Sequence, residues 1–414
     1  MPGNLPYKDI YKCLCQYLLI TIIFCLSFTG GCVESDSEIT DELIVIGILL
    51  PLSGELSDRG MESLNGSIFA IEEINKSGGI QTKGGRSLKY IIADSKGDET
   101  IGANLTKSLI LENNVRAIIG AYQSNVAIAA TSISEKYKTP FIVNTGISDI
   151  IIERGYEYTF RIVPSTDNYA DTKVQFLKFL NRGRTTPVKN IALIYDNSAY
   201  GTGAAMAEHK FLKKAGFTIS SETTYAETDL NPLMDKIASI SAENPDAIFT
   251  TTHLKDSIAI IKRLKETGYN GPVIDTGGGT ITQEFIGKSG QDGEGVYSVS
   301  EFDYSLPEVQ NLNARYKTRF GKNLSGASAS SYQAVIVLRD AIERSLSLER
   351  KDIRDAISET NITSKIENIL PDDRIAFGPD GQNDYSRLAI MQVQNNTWKT
   401  VWPEPYAESM PKKT

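Results

Sequence analysis

After residue 43 the chain alternates short apolar runs with stretches of helical period. "LIVIGILL" is a continuous apolar run of the kind that becomes a strand buried on both faces. A loop, "LSGELSDRG", follows. In "MESLNGSIFAIEEINKSGGI" Leu64, Ile68, Ile71 and Ile74 then recur at helical spacing until a glycine pair stops them. "SLKYIIAD", "VRAIIGA" and "TPFIVNTG" read as further strands, with helices predicted over 99–113 and 124–137. A second series starts after "FRIVPSTDN". It has a helix near 168–182, the strand "NIALIYD", a helix from about Gly203, and the strand "FTISSETTY". A helix near 231–242, the strand "PDAIFTTT", a helix near 254–267 and the strand "GPVIDTG" complete it. Strands alternating with helices build parallel sheets covered on both faces through right-handed crossovers. Two such series predict an α/β protein of two doubly wound parallel-sheet lobes.

The carboxyl third departs from the alternation. Long helical segments, including "ASASSYQAVIVLRDAIERSL", precede a strand-rich tail, "RIAFGPDGQNDYSRLAIMQVQNNTWKTVW". If the helices pack on the first lobe and the tail returns to the second, the chain passes between lobes three times, near 160–166, 298–304 and 370–376. A three-segment hinge lets two lobes open and close without unravelling either. The expected division is 43–162 with 301–371 as lobe one, 163–300 with 372–403 as lobe two, and 404–414 as a tail.

The amino terminus follows a different logic. Lys8 and Lys12 precede an apolar run of 12 residues from Tyr17 to Phe28, and small residues follow. That order is that of a secretory signal, and the run is shorter than the roughly 20 residues a spanning helix needs. All four cysteines, Cys13, Cys15, Cys25 and Cys32, lie in this region, so the folded body has no disulfide and no thiolate-bound metal. "TGGC" resembles the lipobox of lipoprotein signal peptides. The resemblance implies a signal peptide over 1–31, lipid attachment at Cys32, a polar tether over 32–42, and a protein exported and held at the outer face of the cytoplasmic membrane. Thr29 stands where that motif usually has an apolar residue, and a plain signal cleaved near Gly31 is the alternative.

Composition narrows the function. About 370 residues after the tether suit two cores better than one. A net charge of -8 without a basic block argues against nucleic acid as a partner, and only His209 and His253 are available, too few for a multi-histidine metal site. Enzyme signatures fail on inspection. Gly287 to Ser289 reads "GKS", but Thr282 occupies the first glycine position of a phosphate-binding loop, and there is no G-x-S-x-G or H-E-x-x-H. No cofactor is expected.

Several segments carry a family resemblance in the right order. "IVIGILLPLSGELSDRGMESLNGSIFAIEEINKSGGI", "AIIGAYQSNVAIAA", "FIVNTGISDIIIERGYEYTFRIVPSTDN", "IALIYDNSAYGTGAA" and "FGPDGQND" resemble the branched-chain amino-acid binding proteins. These are periplasmic binding proteins of type I fold that serve ABC importers. The resemblance implies a non-enzymatic, monomeric receptor that captures a small molecule, an amino acid or similar, between its lobes and delivers it to a membrane permease. A sensor using the same clamshell is the rival reading.

In parallel α/β sheets ligands bind beyond the carboxyl ends of strands, near helix amino termini. By resemblance Ser124, Gly146 and Ser148 would hold a carboxylate in lobe one, while Tyr200 and His253 would close over it from lobe two. Ser124 as a plain helix cap, Ser148 as a turn residue and His253 as a solvent-facing loop residue are the alternatives. Two positions depart from the family pattern. After "PVID" the chain reads "TGGG" where an acidic partner for the ligand ammonium is expected, leaving Asp275 as the nearby carboxylate. Arg59 stands where family members often have an aromatic, and either favours a polar or anionic ligand group, so that a polar amino acid, an amide or another small carboxylate would fit as well as leucine, isoleucine or valine, or lies on the surface.

Overall fold

The computed structural model describes residues 43–412, apart from 227–228, 304–305, 365–367 and 372–373. The signal peptide over 1–31, the lipid-attachment residue Cys32 and the tether over 32–42 lie outside the described residues.

Lobe one is built on five parallel strands, β1 (Ile44–Leu50), β2 (Leu88–Asp94), β3 (Ile118–Gly120), β4 (Phe141–Val143) and β5 (Thr159–Arg161), in the order β2-β1-β3-β4-β5. The apolar run of β1 is buried along nearly its whole length because helices cover both faces. Those between the strands are α1 (Ser57–Lys76), α2 (Glu99–Leu111), α3 (Ser124–Lys136) and the short α4 (Ile150–Glu153). The Asp98 carboxylate caps α2 by accepting from the Ile101 N–H.

Lobe two repeats that order. Its strands β6 (Asn190–Asp196), β7 (Thr218–Tyr225), β8 (Ala247–Thr251), β9 (Val273–Asp275) and β10 (Tyr297–Ser300) run parallel as β7-β6-β8-β9-β10. Five helices accompany them: α5 (Thr166–Leu180), α6 (Ala199–Ala215), α7 (Asn231–Ala242), α8 (Leu254–Glu266) and α9 (Gln283–Ser289). A capping box of Ser165 and Asn168 starts α5 directly after the first passage between lobes. α6 begins at Ala199, earlier than the expected Gly203, because the Ser198 hydroxyl caps it by accepting from the N–H groups of Tyr200 and Gly201.

From β10 the chain returns to lobe one. α10 (Gln310–Phe320), α11 (Gly326–Arg344) and α12 (Arg350–Ser358) follow, with α11 packed along α1. Phe69 of α1 meets Tyr316, Phe320 and Tyr332 in one aromatic cluster. β11 (Asn361–Ile362) pairs with β12 (Ile375–Ala376). Residues 381–383 then lie along β5, where the Arg161 N–H donates to the Gly381 carbonyl and the Asn383 N–H to the Arg161 carbonyl. The third passage therefore falls between Asn383 and the next strand, later than 370–376, because this segment extends the edge of the first sheet before leaving it. β13 (Ala389–Val393) and β14 (Trp398–Trp402) join lobe two beside β10, antiparallel, so that sheet has seven strands and is not purely parallel. Among the described residues no helix is long and apolar enough to cross a membrane.

Candidate functional site

In each lobe the strand order reverses beside the first strand of its series, β1 and β6, and the loops leaving the neighbouring strand ends face a cavity of about 150 Å³. Lobe one contributes Tyr122, Gln123 and Ser124 after β3, and Thr145 and Ile147 after β4. Lobe two contributes Ser198 and Tyr200 after β6, His253 after β8, and Thr276 to Gly278 after β9. Arg59 and Glu62 enter from the first turns of α1, and Tyr169 and Glu301 stand where the chain passes between lobes.

Ser124 opens the 13-residue α3 and is 2 % exposed. No side chain caps that helix, so its first N–H groups and positive dipole end are left for another acceptor at the cavity wall. The Ser124 hydroxyl accepts from the Ser148 N–H at 3.3 Å. Ser148 itself is fully buried behind Ser124, and its carbonyl accepts from Arg161 at 2.8 Å. The Gly146 N–H donates to the Ala121 carbonyl at 3.2 Å, which removes it as a ligand donor. Neither Gly146 nor Ser148 lines the cavity; Thr145 and Ile147 from the same loop do. The loop alternates its residues toward and away from the cavity, so the expected pair is displaced by one position.

Tyr200 and His253 form the lobe-two wall, ring centroids 5.4 Å apart and planes tilted by 31°. The Gly278 N–H donates to the Tyr200 hydroxyl at 3.1 Å. A Cβ on Gly278 would lie 2.6 Å from that hydroxyl, and one on Gly279 would lie 2.7 Å from the His253 carbonyl carbon. The glycine run that replaces the expected acid thus lets the β9 loop close on the two aromatic residues. Asp275 is fully buried and lies outside the cavity lining. Its carboxylate accepts from the hydroxyls of Thr250, Thr252 and Thr280 and from the Gly277 N–H, each at 2.8 Å. Four donors occupy both oxygens, so Asp275 orders the loop and offers a ligand nothing.

Arg59 is 8 % exposed and lines the cavity, which excludes the surface alternative. Its Nη1 donates to Glu62 Oε2 at 2.8 Å, while Nη2 has no partner among the described residues. Burial, the largest single influence, would lower the guanidinium pKa, but Glu62 together with Tyr122 and Glu284 outweighs it and the net shift is upward. Glu62 also accepts from the Ser325 hydroxyl at 2.9 Å, tying it to the start of α11. Glu301 accepts from the Tyr169 hydroxyl at 3.3 Å. Burial pushes the Tyr122 hydroxyl up to about 12 and lifts Tyr169 and Tyr200 well above their ordinary value, so all three stay protonated at neutral pH. The cavity therefore holds a helix amino terminus and a guanidinium beside two carboxylates, in a wall rich in hydroxyl groups.

Glu62 and Glu301 escaped the reading of the sequence. The signal for Glu62 was its spacing of three from Arg59 on one helix. Glu301 follows directly on the short buried strand β10 inside a predicted passage between lobes, and a carboxylate at such a strand end is the signal that could have found it.

A larger outer groove of about 550 Å³ adjoins the cavity and shares Arg59, Gln123 and His253 with it. Across it the exposed Lys255 of lobe two reaches Glu55 of lobe one at 3.4 Å, a contact worth little in water.

Residues 43–397 match the model of a family described as periplasmic binding protein. The chain is 28% identical over 378 residues to Leu/Ile/Val-binding protein homolog 7 of Brucella abortus (strain 2308), covering 88% of this chain and 93% of that protein. The crystal structure of a leucine binding protein, LivK, from Thermotoga maritima has a TM-score of 0.77 to it at 22% identity, over 86% of this chain and 97% of the other. The substrate binding protein LivJ from Streptococcus pneumoniae, in complex with isoleucine, has a TM-score of 0.75 at 20% identity, over 87% of this chain and 100% of the other.

Proposed function

Because the chain belongs to the periplasmic binding protein family, matched over residues 43–397, we propose that it captures a small α-amino acid between its lobes and hands it to an ABC importer. The protein is a solute-binding protein that works outside the cytoplasm, and binding, not turnover, is its activity. One observation supports the amino-acid reading above others: a single cavity offers an uncapped helix amino terminus with Ser124 on one side and the Glu301 carboxylate on another. A zwitterion satisfies both, its carboxylate at α3 and its ammonium at Glu301. Tyr200 and His253 add contacts from lobe two, so the ligand shifts the open and closed populations by its preference for the closed form.

A thermal-shift screen of the amino acids, with simple amides and small organic acids, tests this. A true solute at a hundredfold excess over Kd stabilises the protein by about 2.7 kcal/mol. No shift with any amino acid overturns the reading. Ser124→Ala is expected to weaken binding of the active solute about fivefold, the value of one hydrogen bond of roughly 1 kcal/mol, whereas Ser148→Ala leaves Kd unchanged.

Cys32, outside the described residues, carries the lipid in this proposal. The small residues of "TGGC" before it and the lack of any later thiol support the assignment. Expressed from its full sequence, the protein is expected in the membrane fraction and Cys32→Ser in the soluble one. Equal partition of both discards the anchor.

A further inference from the structure

Three polar atoms on the lobe-one side of the cavity are buried and have no hydrogen-bond partner among the described residues: Arg59 Nη2, Gln123 Oε1 and Thr145 Oγ1. Their residues leave the carboxyl ends of three adjacent strands. Arg59 lies in the first turn of the helix after β1, Gln123 immediately precedes α3 after β3, and Thr145 follows β4. The set is not a surface accident, because Arg59 is more than nine-tenths buried. The Gln123 amide packs against Gly97, where a Cβ would sit 2.4 Å from Gln123 Nε2, and its Oε1 has no hydrogen-bond partner among the described residues. Arg59 Nη2 can only donate and Gln123 Oε1 can only accept, while Thr145 can do either.

We propose that the solute is an α-amino acid whose side chain ends in a primary carboxamide, its oxygen accepting from Arg59 Nη2 and its NH₂ donating to Gln123 Oε1. This rests on the amino-acid reading above and names the class of side chain within it. A branched aliphatic side chain would bury the three atoms unpaired, each a penalty to binding. A second carboxylate would find Arg59 already neutralised by Glu62 at 2.8 Å and would set its own acceptor against Gln123 Oε1. A cationic side chain would face Arg59 directly. A neutral group with one acceptor and one donor meets none of these penalties, and the same groups that welcome it reject the others.

Isothermal titration calorimetry of the purified protein with glutamine, asparagine, leucine and glutamate decides the matter. Glutamine or asparagine is expected to bind at least about tenfold tighter than leucine or glutamate, the equivalent of one buried group left unpaired. Gln123→Leu is expected to erase that preference by weakening the carboxamide ligand and sparing leucine. It leaves the Arg59–Glu62 pair intact and so avoids the folding risk of replacing Arg59. Tighter binding of leucine or glutamate overturns the carboxamide inference while the amino-acid reading stands. A carboxamide preference that survives Gln123→Leu overturns the assignment to these residues, and the absence of binding by all amino acids removes both readings.

Discussion

Lys173→Met lowers the folding stability of the protein by about 3–5 kcal/mol, the cost of leaving one charge of a buried pair uncompensated. Lys173 of α5 is fully buried, and its ammonium spends all three donors inside lobe two: on Glu208 Oε1 at 2.6 Å, Thr276 Oγ1 at 2.6 Å and the Thr250 carbonyl at 3.2 Å. One side chain thereby joins the first helix after the interlobe passage to α6, β8 and the loop after β9. Without it the Glu208 carboxylate is left buried without its ammonium partner. Burial already raises the pKa of Glu208, and Lys173 is the main influence opposing that rise. Urea denaturation at neutral pH measures the loss. The double variant Lys173→Met/Glu208→Leu should recover most of it, since an apolar pair of similar volume replaces an ion pair at little net cost. A single-variant loss below about 1 kcal/mol would show that the pair behaves like a surface contact. Thr276 lines the cavity, so a clamp that fails here also loosens the lobe-two wall of the site.

The sequence carried the architecture because its signals are local. "IVIGILL" reads as a strand buried on both faces and is found as β1, and the helix expected over 231–242 is found at Asn231–Ala242. Where local signals misled, a tertiary partner decided. Gly201 and Gly203 suggested a late start to α6, but the Ser198 cap lets the helix begin at Ala199. The third passage lies later than expected because residues 381–383 pair with the far edge of a sheet whose last strand is some 220 residues earlier in the chain; Arg161 and Gln382 are separated by 221.

The site divides the same way. Arg59, Ser124, Tyr200 and His253 were legible since each closely follows a strand end or opens a helix. Asp275 looked like a ligand partner for the same reason, yet three threonines that read only as strand and loop residues supply the donors that consume it. Glu301 and Glu62 gain their meaning only when the chain returns from lobe two and sets α11 against α1, bringing Ser325 to Glu62. No local pattern announces that return.

Glu301→Gln is expected to weaken binding of the amino-acid solute by a hundredfold or more. Truncating one partner of a buried, hydrogen-bonded charge pair costs about 2–5 kcal/mol, and a hundredfold corresponds to about 2.7 kcal/mol. Two carboxylates line the cavity, but they are not equivalent. Glu62 is held by the Arg59 guanidinium and the Ser325 hydroxyl, and Glu301 accepts from the Tyr169 phenol. Because Glu62 already faces the Arg59 guanidinium at 2.8 Å, in the proposed complex the ligand ammonium goes to Glu301. The amide keeps the shape that packs against Gly326 at the start of α11 and removes only the charge, and the melting temperature of the apo variant measures any cost to folding. Tyr169→Phe, which removes a neutral donor, should cost about fivefold, the scale of one ordinary hydrogen bond. The decisive comparison uses the 2-hydroxy acid analogue of the solute, which keeps the carboxylate and side chain and lacks the ammonium. It should bind the wild type far more weakly than the amino acid and bind Glu301→Gln nearly as well as the wild type. If the amino acid binds Glu301→Gln as tightly as it binds the wild type, the ammonium is received elsewhere in the cavity, and Glu62 becomes the group to replace.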